Sequence, residues 1–248
     1  MNKKKIIFPV LFFFMMILMI SGCALVKGDP TTEEDSLDAS GVKGISVDYG
    51  SVDVVVEGGS SSQLEVVFDT FERGPKLSMN RRGDHVDIAT ERGGLQIGFI
   101  KLGGYSSDPP KMTVKIPNNH KQDLKLEGSS GNVQLRNLNL NQIDFSASAS
   151  DVNGGGITAN RINGSSTSGS ISIAFEKFAT DANLSSSSGN IDLSLNDESP
   201  DLTLETATTS GNRKIDFPMS GSEESGTIGE GTHHVQLETT SGNISVTP

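Results

Sequence analysis

The sequence predicts an all-β fold of the β-solenoid or β-helix-like kind, with coils of about 20 residues. Three observations predict it. A Ser-Gly-Asn phrase recurs through the second half of the chain, between apolar pairs such as Leu124/Leu126 and Val133/Leu135. Within each pair apolar and polar residues alternate with the period of two that is typical of a strand. The composition has 28 glycines and only 5% aromatic residues, which favours a thin structure that buries small side chains in layers.

Six copies of the phrase align on the glycine of Ser-Gly-Asn. This position falls at Gly131, Ser150, Gly169, Gly189, Gly211 and Gly242. Successive copies are 19 to 22 residues apart, except for 31 residues before the last copy. A period of about 20 residues is too short for a propeller blade of ~40–45 residues, and the alternation excludes packed helices. The repeat therefore indicates a solenoid coil.

An apolar pair precedes each of these positions. The six pairs are Leu124/Leu126, Ile143/Phe145, Ile162/Gly164, Ala182/Leu184, Leu202/Leu204 and Val235/Leu237. Stacked coils would align these pairs in inward-facing ladders. The pair that contains Gly164 lacks one apolar side chain, and Asp151 replaces the asparagine of the neighbouring phrase.

The phrase itself is interpreted as the corner of a coil. Glycine and asparagine tolerate positive φ, and serine and asparagine side chains bond the local backbone in sharp bends. Stacked asparagines would also bond one another along the axis. The predicted structural turn positions are Gly131, Asn132, Gly169, Gly189, Asn190, Gly211, Asn212, Gly242 and Asn243.

The N-terminus has the pattern of a targeting segment. Lys3, Lys4 and Lys5 precede a fifteen-residue run, 6–20, that is apolar except for one proline, and small residues then lead to Cys23. This layout predicts a secretory signal over residues 1–22, although a single anchor helix remains an alternative. It resembles the bacterial lipoprotein signal, which implies lipidation of Cys23. Because Cys23 is the only cysteine, the chain forms no internal disulfide.

The mature chain divides into a tether and a domain. Residues 23–41 are polar and acidic, and they predict a lipidated N-terminus followed by a disordered tether. Residues 42–248 are the β-strand-repeat domain, in which 42–117 is irregular and 118–248 holds the regular repeats. Whether 42–117 continues the solenoid or forms a separate cap is open, but the stretch 49–54 resembles a degenerate copy of the phrase, which favours continuation.

The charge of the chain limits its partners. The net charge is −11, and the signal peptide carries three lysines and no acid, so the mature net charge is −14. Nucleic acid is excluded because a phosphate backbone requires a basic surface. Adsorption to anionic lipid or an anionic wall polymer is disfavoured unless divalent cations bridge the charges.

Candidate chemical residues do not form a recognisable motif. The histidines are His85, His120, His233 and His234, and the last two would point to opposite faces of a strand. The acids that a glycosidase pair would use are Asp48, Asp53, Asp144, Asp151, Asp192 and Asp201, and solvated strand positions explain them better. Residues 154–156 lack the spacing of calcium-binding repeats, and Arg81, Arg82 and Arg92 are interpreted as a solvated basic patch. We therefore predict no catalytic residue, no cofactor and no metal.

Several stretches resemble a known family. Residues 112–117, then 124–133, then the repeated units and the closing stretch 226–244 are similar to the bacterial β-strand-repeat family named "putative adhesin". The resemblance covers about residues 42–248 and implies a right-handed β-helix-like fold on the outer face of the cell envelope. In Gram-positive bacteria, some similar proteins accompany envelope-stress regulators. The family offers no catalytic residues to transfer.

These observations predict a non-enzymatic, lipid-anchored protein of the cell envelope with an adhesin-like binding role or an accessory role in envelope stress. The expected location is extracytoplasmic, on the bacterial cell membrane through Cys23. A cell-wall polymer or an envelope protein is the expected partner. The alternatives are a polysaccharide-active enzyme on the same scaffold and a self-assembling structural protein of the envelope.

Overall fold

The structure is a computed structural model that describes residues 26–91, 93, 95–97, 100–102, 104–106, 108–118 and 121–248. The predicted signal peptide, Cys23, Arg92 and His120 lie outside these residues. Within them the regular structure is strand, and no helix is present that could cross a membrane. The strands are β1 Val26–Lys27, β2 Pro30–Asp38, β3 Gly44–Gly50, β4 Asp53–Gly59, β5 Gln63–Phe71, β6 Lys76–Arg82, β7 His85–Glu91, β8 Leu95–Ile97, β9 Ile100–Leu102, β10 Gly104–Tyr105, β11 Lys111–Pro117, β12 Asp123–Ser130, β13 Val133–Arg136, β14 Asn139–Ala149, β15 Val152–Ser166, β16 Ile171–Phe175, β17 Asp181–Ser188, β18 Ile191–Ser194, β19 Leu202–Ser210, β20 Arg213–Ile215, β21 Ser220–Gly221, β22 Ser225–Ile228, β23 His233–Ser241 and β24 Ile244–Thr247.

Two sheets form the body of the molecule, and β15 runs through both. Sheet 1 has the order β2-β5-β11-β4-β13-β15-β16-β18-β24-β20. Sheet 2 has the order β6-β7-β3-β12-β14-β15-β17-β23-β19-β22-β21. Two short additional pairs, β1–β10 and β8–β9, lie outside these sheets.

Each coil is one strand of sheet 2, a corner, and a strand of sheet 1 that follows it in the chain. Numbered by position in the stack, the coils are β7/β11, β3/β4, β12/β13, β14 with the first part of β15, the second part of β15 with β16, β17/β18, β23/β24 and β19/β20, which we call coils 1 to 8. Neighbouring coils pair in parallel in both sheets. The predicted all-β solenoid is therefore confirmed, and it has two strands per coil.

The chain does not pass through the coils in their stacked order. It visits coil 2 before coil 1, and coil 8 before coil 7. Strand β23 of coil 7 therefore lies between β17 and β19, and its Val235 and Leu237 stand opposite Leu204 and Thr206. The predicted alignment of Leu202/Leu204 with the last pair is thus wrong by two residues. The reason is that Thr206, a buried polar residue, occupies a position that is apolar in the neighbouring coils.

Antiparallel strands close the stack at both ends. Beyond coil 1 lie β5 and β2 in sheet 1 and β6 in sheet 2, and beyond coil 8 lie β22 and β21 in sheet 2. The region 42–117 therefore both continues the solenoid and forms a cap, which are the two alternatives that its sequence leaves open. Residues 49–54 are the corner of coil 2, as the degenerate phrase predicts, whereas β5 and β6 form a cap.

The predicted disordered tether differs most from the structure. Residues 30–38 form β2, which pairs antiparallel with β5 over all nine residues, and Leu37 packs against the core. An edge strand that covers the end of a sheet is solvated along one side, so it needs few apolar residues. That is why its polar, acidic sequence is indistinguishable from a tether by composition.

The core is a set of inward ladders in which large rings compensate for missing side chains. A side chain at Gly164 would overlap the ring of Phe145 in the neighbouring coil, which occupies the space left by the glycine. In the same way the ring of Tyr49 lies over Gly128, and its hydroxyl donates to Ser150 Oγ at 3.2 Å. Close packing of this kind leaves no void at the positions where the repeat lacks an apolar residue.

The corner glycines are required by close stacking rather than by positive φ. Of the five corner glycines only Gly131 has a positive φ, of 101°. At Gly189 an added Cβ would overlap the carbonyl oxygen of Gly169 one coil away, and Gly169, Gly211 and Gly242 are crowded in the same manner. The predicted positive φ is therefore wrong for most corners, and the next coil approaches Gly169, Gly189, Gly211 and Gly242 too closely for a side chain.

The asparagine side chains of the phrase form hydrogen bonds along the axis by accepting from backbone N–H groups of the adjacent coil. The amide N–H of Asn243 donates to Asn190 Oδ1, and that of Asn212 donates to Asn243 Oδ1, both at 2.9 Å. Inside the same corner, buried hydroxyls donate to the carbonyl of the adjacent coil, as from Thr239 Oγ1 to Gly189 O at 2.9 Å. These bonds satisfy backbone groups that the bend removes from the sheet.

Candidate binding face on sheet 2

The outer side of sheet 2 presents three straight rows of side chains. Because neighbouring strands pair in parallel and in register, equivalent residues of all eight coils stand next to one another. We call the central row the middle row; from coil 1 to coil 8 it consists of Asp87, Ser46, Lys125, Asp144, Asn163, Asn183, Gln236 and Glu205. The row on one side includes Glu127, Ser146, Ser165, Ser185 and Glu238, and the row on the other side includes Asp123, Gln142, Arg161 and Asp181.

Four shallow clefts follow the middle row, with volumes of about 240, 270, 330 and 250 Å³ in order along the stack. Each cleft shares two lining residues with the next. The shared residues are Lys125 and Asp144, then Asn163 and Asn183, and then Gln236 and Glu205. Since every shared residue belongs to the middle row, the four clefts adjoin one another along this row, and we call them together the trough.

Amide groups dominate the centre of the trough. Asp144 accepts hydrogen bonds from Asn163 Nδ2 at 2.8 Å and from Gln142 Nε2 at 2.7 Å, so both of its oxygens are bound to neutral donors. Lys125 pairs with Glu127 at 2.8 Å, and this hydrogen bond, together with the charge of Glu127, raises the pKa of Lys125. The centre is consequently close to neutral and rich in donors and acceptors, whereas Glu238 and Glu205 make the far end acidic.

A serine, a histidine and an aspartate meet at the coil 1 end of the trough. Ser46 Oγ lies 2.9 Å from His85 Nε2, and Asp87 Oδ1 lies 3.7 Å from the same nitrogen. A catalytic triad needs the acid on the other ring nitrogen, where it fixes the tautomer of the base. Arg82 also holds Asp87 through a hydrogen bond of 2.7 Å. The arrangement is a polar contact between coils 1 and 2, and it does not activate the serine.

The sequence of the chain matches the family described as Toastrack DUF4097 over residues 42–180 and 162–247. The chain belongs to the Toastrack DUF4097 family. No curated protein matches it.

Solved structures share this fold at low identity. A "putative cell adhesion protein" from Clostridium sporogenes is 13% identical, with a TM-score of 0.55, and the match covers 88% of this chain and 99% of that one. A "putative adhesin" from Bacteroides fragilis is also 13% identical, with a TM-score of 0.46 and coverage of 89% and 99%. At 13% identity, the similarity to the Clostridium sporogenes protein is one of fold alone.

The six acids considered for a glycosidase pair lie on different surfaces of the Toastrack domain. Asp48 and Asp144 lie in separate rows and coils of sheet 2, and Asp192 lies on the outer side of sheet 1, where burial raises its pKa. The other three accept backbone hydrogen bonds: Asp53 from Asn132, Asp151 from Ser170 and Asp201 from Thr232. Each of those three thus has a structural role in holding adjacent segments together.

The remaining candidates are also separated. His234 lines the trough, whereas the ring of His233 packs edge-on against Phe178 at 5.6 Å. Arg81 donates to the carbonyl oxygens of Asp38 and Ser40, so it joins β6 to the end of β2. Gly156 has a φ of 65° at the corner within β15. Among the described residues, no three His, Cys, Asp or Glu side chains are grouped as a metal site.

Sequence reasoning did not find the trough. Its residues are individually ordinary polar positions on strands, and they become one surface only through the stacking order of the coils. Asn163 and Asn183 are adjacent in the repeat and give a signal in the sequence, but Gln236 and Glu205 join the row in an order that the chain does not follow.

Proposed function

We propose that this protein is a non-enzymatic surface component of the cell envelope that binds an extended partner along the trough of sheet 2. The observation that carries the proposal is that successive clefts share the middle row, from Lys125 to Glu205. A row of adjoining clefts suits a linear ligand held by many weak contacts rather than a small molecule in one pocket.

The chemistry of the trough favours a neutral, hydroxyl- or amide-rich partner. Asparagine, glutamine and serine side chains recur in coils 4 to 7, which are about 4.8 Å apart along the axis, and these side chains both donate and accept hydrogen bonds. The acids at the far end and the mature charge of −14 repel an anionic polymer. The partner is therefore a neutral stretch of cell-wall polymer or an extended segment of an envelope protein.

Lipidation of Cys23 would place the domain close to the membrane. Strand β1 begins at Val26, three residues after Cys23, and a chain of three residues spans at most about 10 Å. With residues 30–38 taken up by β2, little length is left to act as a spacer. Metabolic labelling with palmitate tests the anchor: wild-type protein should incorporate the label and Cys23→Ala should not, whereas persistent label in the variant would refute acylation at Cys23.

Retention by envelope fractions tests the binding face. The probes are purified cell-wall sacculi and a detergent-solubilised envelope protein fraction, each tested against residues 24–248 of the chain. The double variant Asn163→Ala/Asn183→Ala should weaken retention at least about tenfold, or ~1.4 kcal/mol. The matched control is Asn153→Ala/Ser172→Ala, two outward residues of sheet 1 that stand opposite one another on adjacent coils. Equal retention of both variants would contradict the proposal.

A further inference from the structure

The two ends of the stack differ in shape in a complementary way. At the coil 1 end, sheet 1 extends by two strands, β5 and β2, and sheet 2 by only one, β6. At the coil 8 end, sheet 1 stops at β20, whereas sheet 2 continues with β22 and the two-residue β21. Apart from that short β21, each sheet therefore contains ten layers. A copy shifted along the axis by ten layers would continue both sheets, with only the two-residue β21 having to move aside for β6 of the next copy.

The edge strands at these ends are available for further pairing. Within the described residues, β2 pairs only with β5, β6 only with β7, and β20 only with β24. Because β2 is antiparallel to β5, and β5 is antiparallel to β11, β2 runs in the same direction as the strands of the coils. Strand β20 runs in this direction too. Placing β20 of one copy beside β2 of the next would extend the parallel pairing of sheet 1.

The charges of the coil 1 end are divided between the sheets. Strand β2 of sheet 1 carries the acids Glu33, Glu34 and Asp35. Strand β6 of sheet 2 carries the cations Lys76, Arg81 and Arg82. Across the end, Lys76 Nζ lies 2.9 Å from Glu33 Oε1. Sheet 1 is thus the negative side of this end.

The coil 8 end has the reverse arrangement. Strand β20 of sheet 1 carries Arg213 and Lys214, and the connection between β21 and β22 of sheet 2 carries Glu223 and Glu224. Across this end Arg213 Nη2 lies 3.8 Å from Glu224 Oε1. Lys214 Nζ also lies 2.8 Å from Asp216 Oδ2 just after β20, so sheet 1 keeps one net positive charge at this end. Each sheet would therefore meet the opposite charge if unlike ends joined.

We propose that a second copy of this chain docks head to tail on the stack, with β20 of one copy against β2 of the next. Charges on edge strands normally prevent uncontrolled pairing. Here they disfavour a contact between two coil 1 ends in which sheet 1 meets sheet 1, because acid would face acid, and they favour the joining of unlike ends. Such an interface is heterologous and does not close by itself, so it generates linear rows of domains. Rows of this kind would join the troughs of successive copies.

Sedimentation velocity of residues 24–248 tests the association. Oligomers should grow with protein concentration in 0.1 M salt. In 1 M salt the Debye length falls from about 10 Å to about 3 Å, and the association should weaken at least about tenfold. A chain that stays monomeric at millimolar concentration in low salt would overturn the proposal.

Charge-swapped variants test the orientation. Glu34→Lys leaves two acids beside one lysine at positions 33–35 of β2, and Lys214→Glu leaves β20 with one cation and one acid, so each variant alone should associate at least about tenfold more weakly than the wild type. An equimolar mixture should regain association, because β20 of the first variant and β2 of the second are both unaltered. Unchanged circular dichroism spectra and melting temperatures show that the variants fold. Association that is equal in all samples, or that mixing does not restore, would overturn the head-to-tail arrangement.

Discussion

Coils 3 to 6 differ from the two ends of the stack in chain order and in strand pairing. In the central coils the chain order and the stacked order agree, all pairings are parallel, and the Ser-Gly-Asn corners repeat. At the ends the order of the coils is exchanged, although coils 7 and 8 still carry the phrase, and the antiparallel strands that cover the sheets lack it. The difference shows that the repeat specifies how one coil fits on another, whereas the number of coils and the closure of the stack are specified by the sequence outside the repeat.

Removal of the Phe145 ring, which fills the space left by Gly164, should cause the largest loss of stability in the central coils. Phe145→Ala leaves a cavity over Gly164, and we expect a loss of about 3–5 kcal/mol in the free energy of unfolding, measured with urea. The matched change at the end of the stack is Leu37→Ala in β2. Since Leu37 is only partly buried, its loss should be smaller, about 1 kcal/mol. Equal losses in the free energy of unfolding would contradict a difference in packing between the central coils and the end of the stack.

A side chain at a central corner should be almost as damaging. Gly189→Ala places a Cβ against the carbonyl of Gly169, and the required backbone shift should cost about 1–3 kcal/mol or more. Gly155→Ala is the control, because a Cβ there meets no atom within 4 Å and its change should stay within about 0.5 kcal/mol. If both variants unfold at the same urea concentration, the close approach of the coils is not the reason that glycine recurs at these corners.

The central coils could be predicted from the sequence better than the ends of the stack. The alternation and the phrase predict the coils, their corners and the inward ladders, because these depend on neighbouring residues. The exchanged order of coils 7 and 8 could not be predicted, since apolar ladders such as those of Leu184, Leu204 and Leu237 are interchangeable as neighbours. The acidic end of the trough depends on that order, whereas the contact of Ser46 with His85 depends on the pairing of β3 with β7. The acidic β2 lacks the apolar alternation of a strand.

Loss of one hydroxyl should distinguish the polar contact of Tyr49 from the packing of its ring. Tyr49→Phe keeps the ring over Gly128 but leaves the buried Ser150 hydroxyl without this partner, so we expect a loss of about 1 kcal/mol in urea unfolding. Tyr49→Ala should cost about 3–5 kcal/mol because the ring is also removed. A Tyr49→Phe variant as unstable as Tyr49→Ala would show that the hydrogen bond, and not the ring, stabilises this position.

The smallest effect is expected from an exposed acid at the coil 8 end. Hydrogen bonds from the hydroxyl and the amide N–H of Thr232 lower the pKa of Asp201. A lowered pKa in the folded state gives stability above the ordinary pKa of about 4, and this stability is lost as the pH falls through the lowered value. Asp201→Asn should therefore reduce the fall in melting temperature between about pH 4 and pH 2. An unchanged pH dependence would contradict this role.

The trough is tested most directly by the reactivity of single cysteines on the two outer faces. Residues 24–248 contain no cysteine, so Ser185→Cys in sheet 2 and Ser172→Cys in sheet 1 each introduce one thiol. The rate of maleimide labelling is measured with and without the sacculi or the envelope fraction that retains the chain. We expect the bound partner to slow labelling of Ser185→Cys at least about tenfold and to leave Ser172→Cys unchanged. Equal slowing of both variants, or slowing of Ser172→Cys alone, would contradict binding along sheet 2.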